Sequence, residues 1–167
     1  MKNIRLKNWD YSGPAFYFIT ICTQNMIKWF GKIQNQENHL SEAGIIADCN
    51  IKKISEYHNN TGIHEYIVMP NHIHMIIEII PPAADFNHIL KDSADQIESD
   101  YYSRISPAAG SISVIIRSYK SRTTKMIKEL QNHSYFKWHT GYYDRIIRNE
   151  KELSATTRYI RYNHLKK

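Results

Sequence analysis

Apolar and polar positions recur along this chain in two rhythms, one of period two and one near 3.6, and the changes between them mark out its elements. Phe16-Tyr-Phe-Ile-Thr-Ile-Cys-Thr23 is rich in aromatic and β-branched residues and bounded by Gly13-Pro14, which predicts a first strand. A ragged hairpin is expected between Trp29 and Leu40. Ser41 then caps a predicted helix to about Tyr57, with Ala43, Ile46, Ala47, Ile51 and Ile54 on its apolar side, and Asn59-Asn-Thr-Gly62 ends it. A strand from His64 to Met69, a turn at Pro70-Asn71 and a returning strand from His72 to Ile80 follow.

In the second half, Ile112, Ile115, Ile116, Tyr119, Thr123, Met126, Ile127 and Leu130 keep a helical period, predicting one amphipathic helix from Gly110 to Asn132. A last strand is expected over Tyr142 to Ile147. Asn149 with Glu152 three residues later forms a capping box for a final helix carrying Leu153, Thr156, Thr157 and Ile160. Between the halves, Pro81-Pro82 opens a stretch in which Asp85, Asp92, Asp95, Glu98 and Asp100 outweigh Lys91, so residues 81–109 read as an acidic, flexible connector. There is no internal repeat. This order of elements implies one α+β domain over residues 1–167 with a largely antiparallel sheet.

Composition narrows the picture. A chain of 167 residues with 42% hydrophobic content can bury a substantial core, and 22 Lys+Arg against 16 Asp+Glu, a net charge of +6, favours a polyanionic partner. Cys22 and Cys49 are too few for a disulfide framework. The absence of a long apolar run or a signal-peptide pattern leads to the expectation of a cytoplasmic protein with no membrane segment.

Two features carry candidate chemistry. His72 and His74 flank Ile73 in an extended run, so both imidazoles fall on one face of the strand, within reach of one divalent metal; the plainer reading is a pair of ordinary polar-face residues. Tyr119 stands in the middle of the apolar stripe of the long helix. It is either a core tyrosine with a satisfied hydroxyl or a nucleophile that packing brings to the histidine pair, with Arg117, Lys120, Arg122, Lys125 and Lys128 off the stripe and free to hold phosphates.

The chain resembles the REP-associated tyrosine transposases, a branch of the HUH single-strand DNA transposases. The resemblance rests on Met69-Pro-Asn-His-Ile-His74, on Gly110-Ser-Ile followed by Ser118-Tyr-Lys-Ser121, and on Trp138 with Tyr143-Asp-Arg-Ile-Ile-Arg-Asn-Glu150 and Tyr159-Ile-Arg-Tyr-Asn163. These pieces keep the family's order over most of residues 14–167, although His164 stands where the family has proline. The resemblance implies a ferredoxin-like or RRM-like sheet with packed helices, and a DNA strand transesterification dependent on Mg²⁺ or Mn²⁺. In that reaction Tyr119 attacks a phosphodiester, leaving a 5′-phosphotyrosine link and a free 3′-hydroxyl. Such exchange of one diester for another conserves bond energy and requires no ATP.

In the family a polar side chain one helical turn after the tyrosine, often Gln or Asn, completes the metal site. Counting from Tyr119 that position is Thr123, a poor ligand, so Thr123 through water, Glu78 from the histidine face of its strand, or a DNA phosphate is expected to fill the place. Residues 137–167 carry eight Lys+Arg against three acidic residues, and Arg145 and Arg148 join the helix cations as candidate DNA contacts. The other tyrosines, Tyr142, Tyr143, Tyr159 and Tyr162 among them, are read as packing or base-stacking residues. The expected partner is single-stranded or hairpin DNA, bound by a monomer or homodimer. The alternatives are a hairpin-binding protein of the same fold with weakened catalysis, and a metal hydrolase of small phosphodiesters.

Overall fold

The computed structural model describes residues 13–80, 110–130 and 133–165; the acidic connector and Tyr101 and Tyr102 lie outside the described residues. Four strands form the main sheet: β1 (Ala15–Cys22), β4 (Thr61–Met69), β5 (His72–Ile79) and β6 (Tyr143–Ile147), in the order β4-β5-β1-β6 with every neighbouring pair antiparallel. Disregarding the inserted hairpin β2 (Gly31–Gln34) and β3 (Glu37–Leu40), this is the strand order of a ferredoxin-like sheet. The architecture is α+β, as the sequence pattern predicts.

Alternation along the two central strands decides what covers each face. Tyr17, Ile19 and Ile21 of β1 and Ile73, Met75, Ile77 and Ile79 of β5 all point to one side, and every one is fully or almost fully buried. Two helices cover that apolar side, α1 (Glu42–Lys52), which contributes Ala43, Ala47 and Ile51, and α3 (Ile112–Glu129), which contributes Ile112, Ile115, Ile116, Tyr119 and Ile127. A short helix α2 (Ile54–Tyr57) follows α1 after Lys53, so the predicted 41–57 helix is divided. The opposite side carries Phe16 and Phe18 of β1 with His72, His74, Ile76 and Glu78 of β5. There a smaller apolar cluster of Phe18, Ile76, Ile147 and Ile160 is covered by α4 (Glu150–Arg161).

Local chemistry sets the ends of these elements. Ser41 Oγ accepts from the Gly44 N–H at 3.1 Å, capping α1. At α4, Asn149 Oδ1 accepts from the Glu152 N–H at 2.9 Å, while the Glu152 carboxylate reaches back to the Arg148 N–H at 3.2 Å. β4 starts at Thr61, earlier than the Asn-Asn-Thr-Gly signal predicts, and a bulge at His64 restores its register with β5. Of the helical stripe, only Met126 turns outward, half-exposed at the solvent edge of α3.

Candidate active site

The histidine pair stands where β5 leaves its turn, on the α4 side of the sheet. The two imidazole centroids are 4.6 Å apart. Asn71 fixes the first ring: its Oδ1 accepts from His72 Nδ1 at 2.8 Å while its Nδ2 donates to the Met26 carbonyl at 3.3 Å, which settles the orientation of the amide. His72 therefore carries its proton on Nδ1 and presents Nε2 as a lone pair. Burial also holds the His72 imidazole below its ordinary pKa, favouring the neutral, ligating form. His74 lies against the Phe18 ring at 5.2 Å, and its Nδ1 meets Thr20 Oγ1 at 2.9 Å across the β1–β5 pairing.

The phenol that meets this pair belongs to Tyr159. Its hydroxyl is 3.4 Å from His74 Nε2, and the two rings are 5.3 Å apart. Tyr159 is placed there by α4, whose Leu153 and Ile160 pack on the sheet and whose Arg161 pairs with Glu65 of β4. One helical turn beyond Tyr159 stands Asn163, a buried amide at the start of the terminal 3-10 turn. Beside Tyr159 opens a cleft of about 420 Å³, lined by Phe18, Tyr143, Arg145, Glu152, Ala155 and Thr156.

Tyr119 is not brought to the histidines. It is buried in the α1–α3 layer on the far side of the sheet, where its hydroxyl donates to the Ala47 carbonyl at 3.2 Å. Removal from water drives its pKa far upward, so it remains a neutral phenol. Thr123 is its neighbour in the same layer and accepts from Asn50 Nδ2 at 3.2 Å, a packing role. Glu78 shares the histidine face but stands four residues beyond His74, with Ile76 between them on that face, roughly 13 Å along the strand at about 3.3 Å per residue. Neither Thr123 nor Glu78 stands beside the histidine pair as a third ligand.

The basic candidates divide in the same way. Arg117 and Lys125 are exposed on α3, on the side of the sheet away from the histidines. Lys120 donates to the carbonyls of His139 and Gly141 at 2.9 and 3.0 Å, tying down the loop before β6, and its partial burial lowers its pKa. Arg122 stacks on Tyr57, 3.4 Å from the ring centroid. Arg145, by contrast, lies on the histidine face, over Phe18 and hydrogen-bonded to Thr156 at 2.9 Å. Arg148 is exposed at the far end of β6, with Arg158 and Arg161 along α4.

Among the described residues no three His, Cys, Asp or Glu side chains group as a metal cluster; the histidine face offers two imidazoles, and the Asn163 amide follows Tyr159 by one helical turn. Two neutral imidazoles with an amide leave a divalent ion its full charge and open positions for phosphate oxygens.

The fold is that of a solved protein described as the REP-associated tyrosine transposase bound to a REP hairpin, with a TM-score of 0.58 over 99% of this chain and 73% of that one at 17% identity. A candidate transposase from Deinococcus radiodurans R1 aligns with a TM-score of 0.50 over 96% of both chains at 11% identity. The resemblance carried by the sequence motifs thus extends to the whole fold. The chain belongs to one family with an uncharacterized protein of Haemophilus influenzae, to which it is 33% identical over 163 residues, 97% of this chain and 87% of the relative. No family model matches the chain.

Proposed function

We propose that this protein is a tyrosine transposase acting on single-stranded DNA beside a hairpin, with Tyr159 rather than Tyr119 as the nucleophile. The observation that carries the reading is the 3.4 Å approach of the Tyr159 hydroxyl to His74 on the face shared with His72. The spacing of the resembled family agrees: one helical turn after Tyr159 lies Asn163, an amide of the expected kind, where Tyr119 is followed by Thr123.

His72, His74 and, one helical turn after Tyr159, Asn163 would hold Mg²⁺ or Mn²⁺. When bound, such an ion polarises the scissile phosphate as a Lewis acid. The protein's own side chains do the rest. Helix α4 holds the phenol at the histidine edge, and the Asn71 and Thr20 contacts fix both imidazoles in one orientation. The Tyr159 oxygen forms its bond to phosphorus as the bond to the 3′ oxygen breaks. The phenol proton passes to solvent, and the departing oxygen takes one up to become a free 3′-hydroxyl. Reversal with a different 3′-hydroxyl rejoins strands. Arg145 beside Tyr159, with Arg148, Arg158 and Arg161 further along, supplies positive charge for neighbouring phosphates, and binding of this kind weakens steeply with salt.

The test is a denaturing gel for a covalent protein–DNA adduct, with Mn²⁺ or Mg²⁺ and hairpin oligonucleotides copied from repeats beside the gene. Tyr159→Phe is expected to abolish the adduct and Tyr119→Phe to retain it; the reverse result overturns the assignment. Hairpin binding with no adduct in the native protein would support the non-catalytic alternative.

A further inference from the structure

A second hollow, of about 260 Å³, lies next along β1 and β6 from the Tyr159 cleft, beside the strand partners of the histidine pair, and shares Tyr143 with that cleft. Thr20 and Cys22 form its floor, and these are the direct strand partners of His74 and His72. Met26, His139 and Tyr143 form its walls. We infer that this hollow receives one unstacked nucleobase of the single strand, gripped beside the reacting phosphate. The inference rests on the strand-transfer reading and deepens it.

Three observations favour a base as the occupant. The first is size and lining: the hollow is smaller than the roughly 300–1,000 Å³ typical of sites for drug-sized ligands, and it offers apolar walls with a few hydroxyl, thiol and imidazole groups at its edges. A heterocycle with apolar faces and polar edges matches that surface. The second is Tyr143. Its ring stands on the edge strand, 39% exposed, and borders both this hollow and the Tyr159 cleft, so a strand running from one to the other meets it. Exposed aromatic rings in such a position serve as stacking platforms without regard to base identity.

The third is the wall opposite. Asn25 and Met26 are consecutive non-glycine residues in left-handed backbone, at φ of 54° and 56°, a costly conformation that leaves the Met26 side chain half-exposed at the mouth. The Met26 carbonyl is held by the same Asn71 amide that orients His72. The Met26 backbone at the mouth of the hollow and the His72 ring are thereby joined through one side chain. Lys120 supports the remaining wall by its bonds to the His139 and Gly141 carbonyls, which gives that cation a task other than binding phosphate.

Photocrosslinking tests the hollow independently of the chemistry. A mixed-sequence single strand of about 12 nucleotides carrying 5-iododeoxyuridine, within the usual site sizes for such binding, is irradiated with Tyr159→Phe protein and the crosslinked peptides are mapped. Crosslinks at Tyr143 or Met26 are expected. In the same background Tyr143→Phe is expected to keep them, whereas Tyr143→Ala and Tyr143→Leu lose them and weaken binding about tenfold, the effect of losing one base–aromatic stack. Thermal melting verifies that each variant is folded, and the leucine variant preserves bulk at the edge strand. Crosslinks confined to α3 or α4, or equal affinity for the Phe, Leu and Ala variants, would overturn the inference. Because the readouts are crosslink position and affinity rather than strand cleavage, failure of the phosphotyrosine mechanism leaves this result readable.

Discussion

Two phenols on opposite sides of one sheet differ in what surrounds them. Tyr119 is sealed between α1 and α3, so it does not ionise in the folded protein. Above about pH 10 the unfolded chain releases that phenol proton and the folded chain keeps it, so stability falls as pH rises from there. A pH titration is expected to show the last phenolate absorbance step coinciding with loss of circular dichroism, and Tyr119→Phe to remove that contribution. Asn71 is the corresponding support at the site. Asn71→Ala frees the His72 ring and is expected to lower Mn²⁺ affinity by roughly 10- to 100-fold, measured by calorimetry, with little change in melting temperature.

At the scale of elements, much was legible beforehand. The strands, the Ser41 and Asn149 caps and the turn that sets up the histidines follow from turn residues and period-two alternation. Tyr119 draws attention as a nucleophile by its position in an apolar stripe, yet the structure seals it on the face away from the histidines. The same alternation holds the correction: the odd positions of β5 are all apolar and the even positions include His72, His74 and Glu78, so the helix with the broadest apolar stripe belongs on the odd side, away from the histidines. Tyr159 and Asn163, one turn apart, offer within the motif itself the tyrosine–amide spacing that the resemblance implies. What no local pattern reveals is that α4 crosses to the other face, because that depends on the path of the chain after β6. Asn149→Ala is expected to cost about 1 kcal/mol of stability through the lost cap. Adduct formation is expected to fall further than the change in urea midpoint accounts for, because the frayed helix is the one that carries Tyr159.

For the whole molecule, the ferredoxin-like sheet serves as a partition. One side holds a large core of aliphatic and aromatic side chains; the other holds ionisable rings over a smaller apolar base. Burial lowers the pKa of both His58 and His72, with Arg122 adding to the effect at His58. Between the ordinary imidazole value of 6.5 and those depressed values the unfolded chain takes up protons that the folded chain refuses, so stability falls as pH falls through that window. The urea midpoint of the metal-free protein is expected to be lower at pH 5.5 than at pH 7.5, and His58→Gln to reduce the difference.

The shallow seating of α4 has a consequence for control. Its apolar hold on the sheet is mainly Leu153 and Ile160, beside the Arg161–Glu65 ion pair, while the principal core lies on the other side and does not depend on it. Segments held by few apolar contacts open at a free energy well below that of global unfolding. Were α4 to lift, the Tyr159 hydroxyl would leave His74 and take Asn163 with it while the sheet stayed intact, so on the proposed mechanism this helix acts as a safety catch: peeling it back disarms the site, and redocking it arms it again.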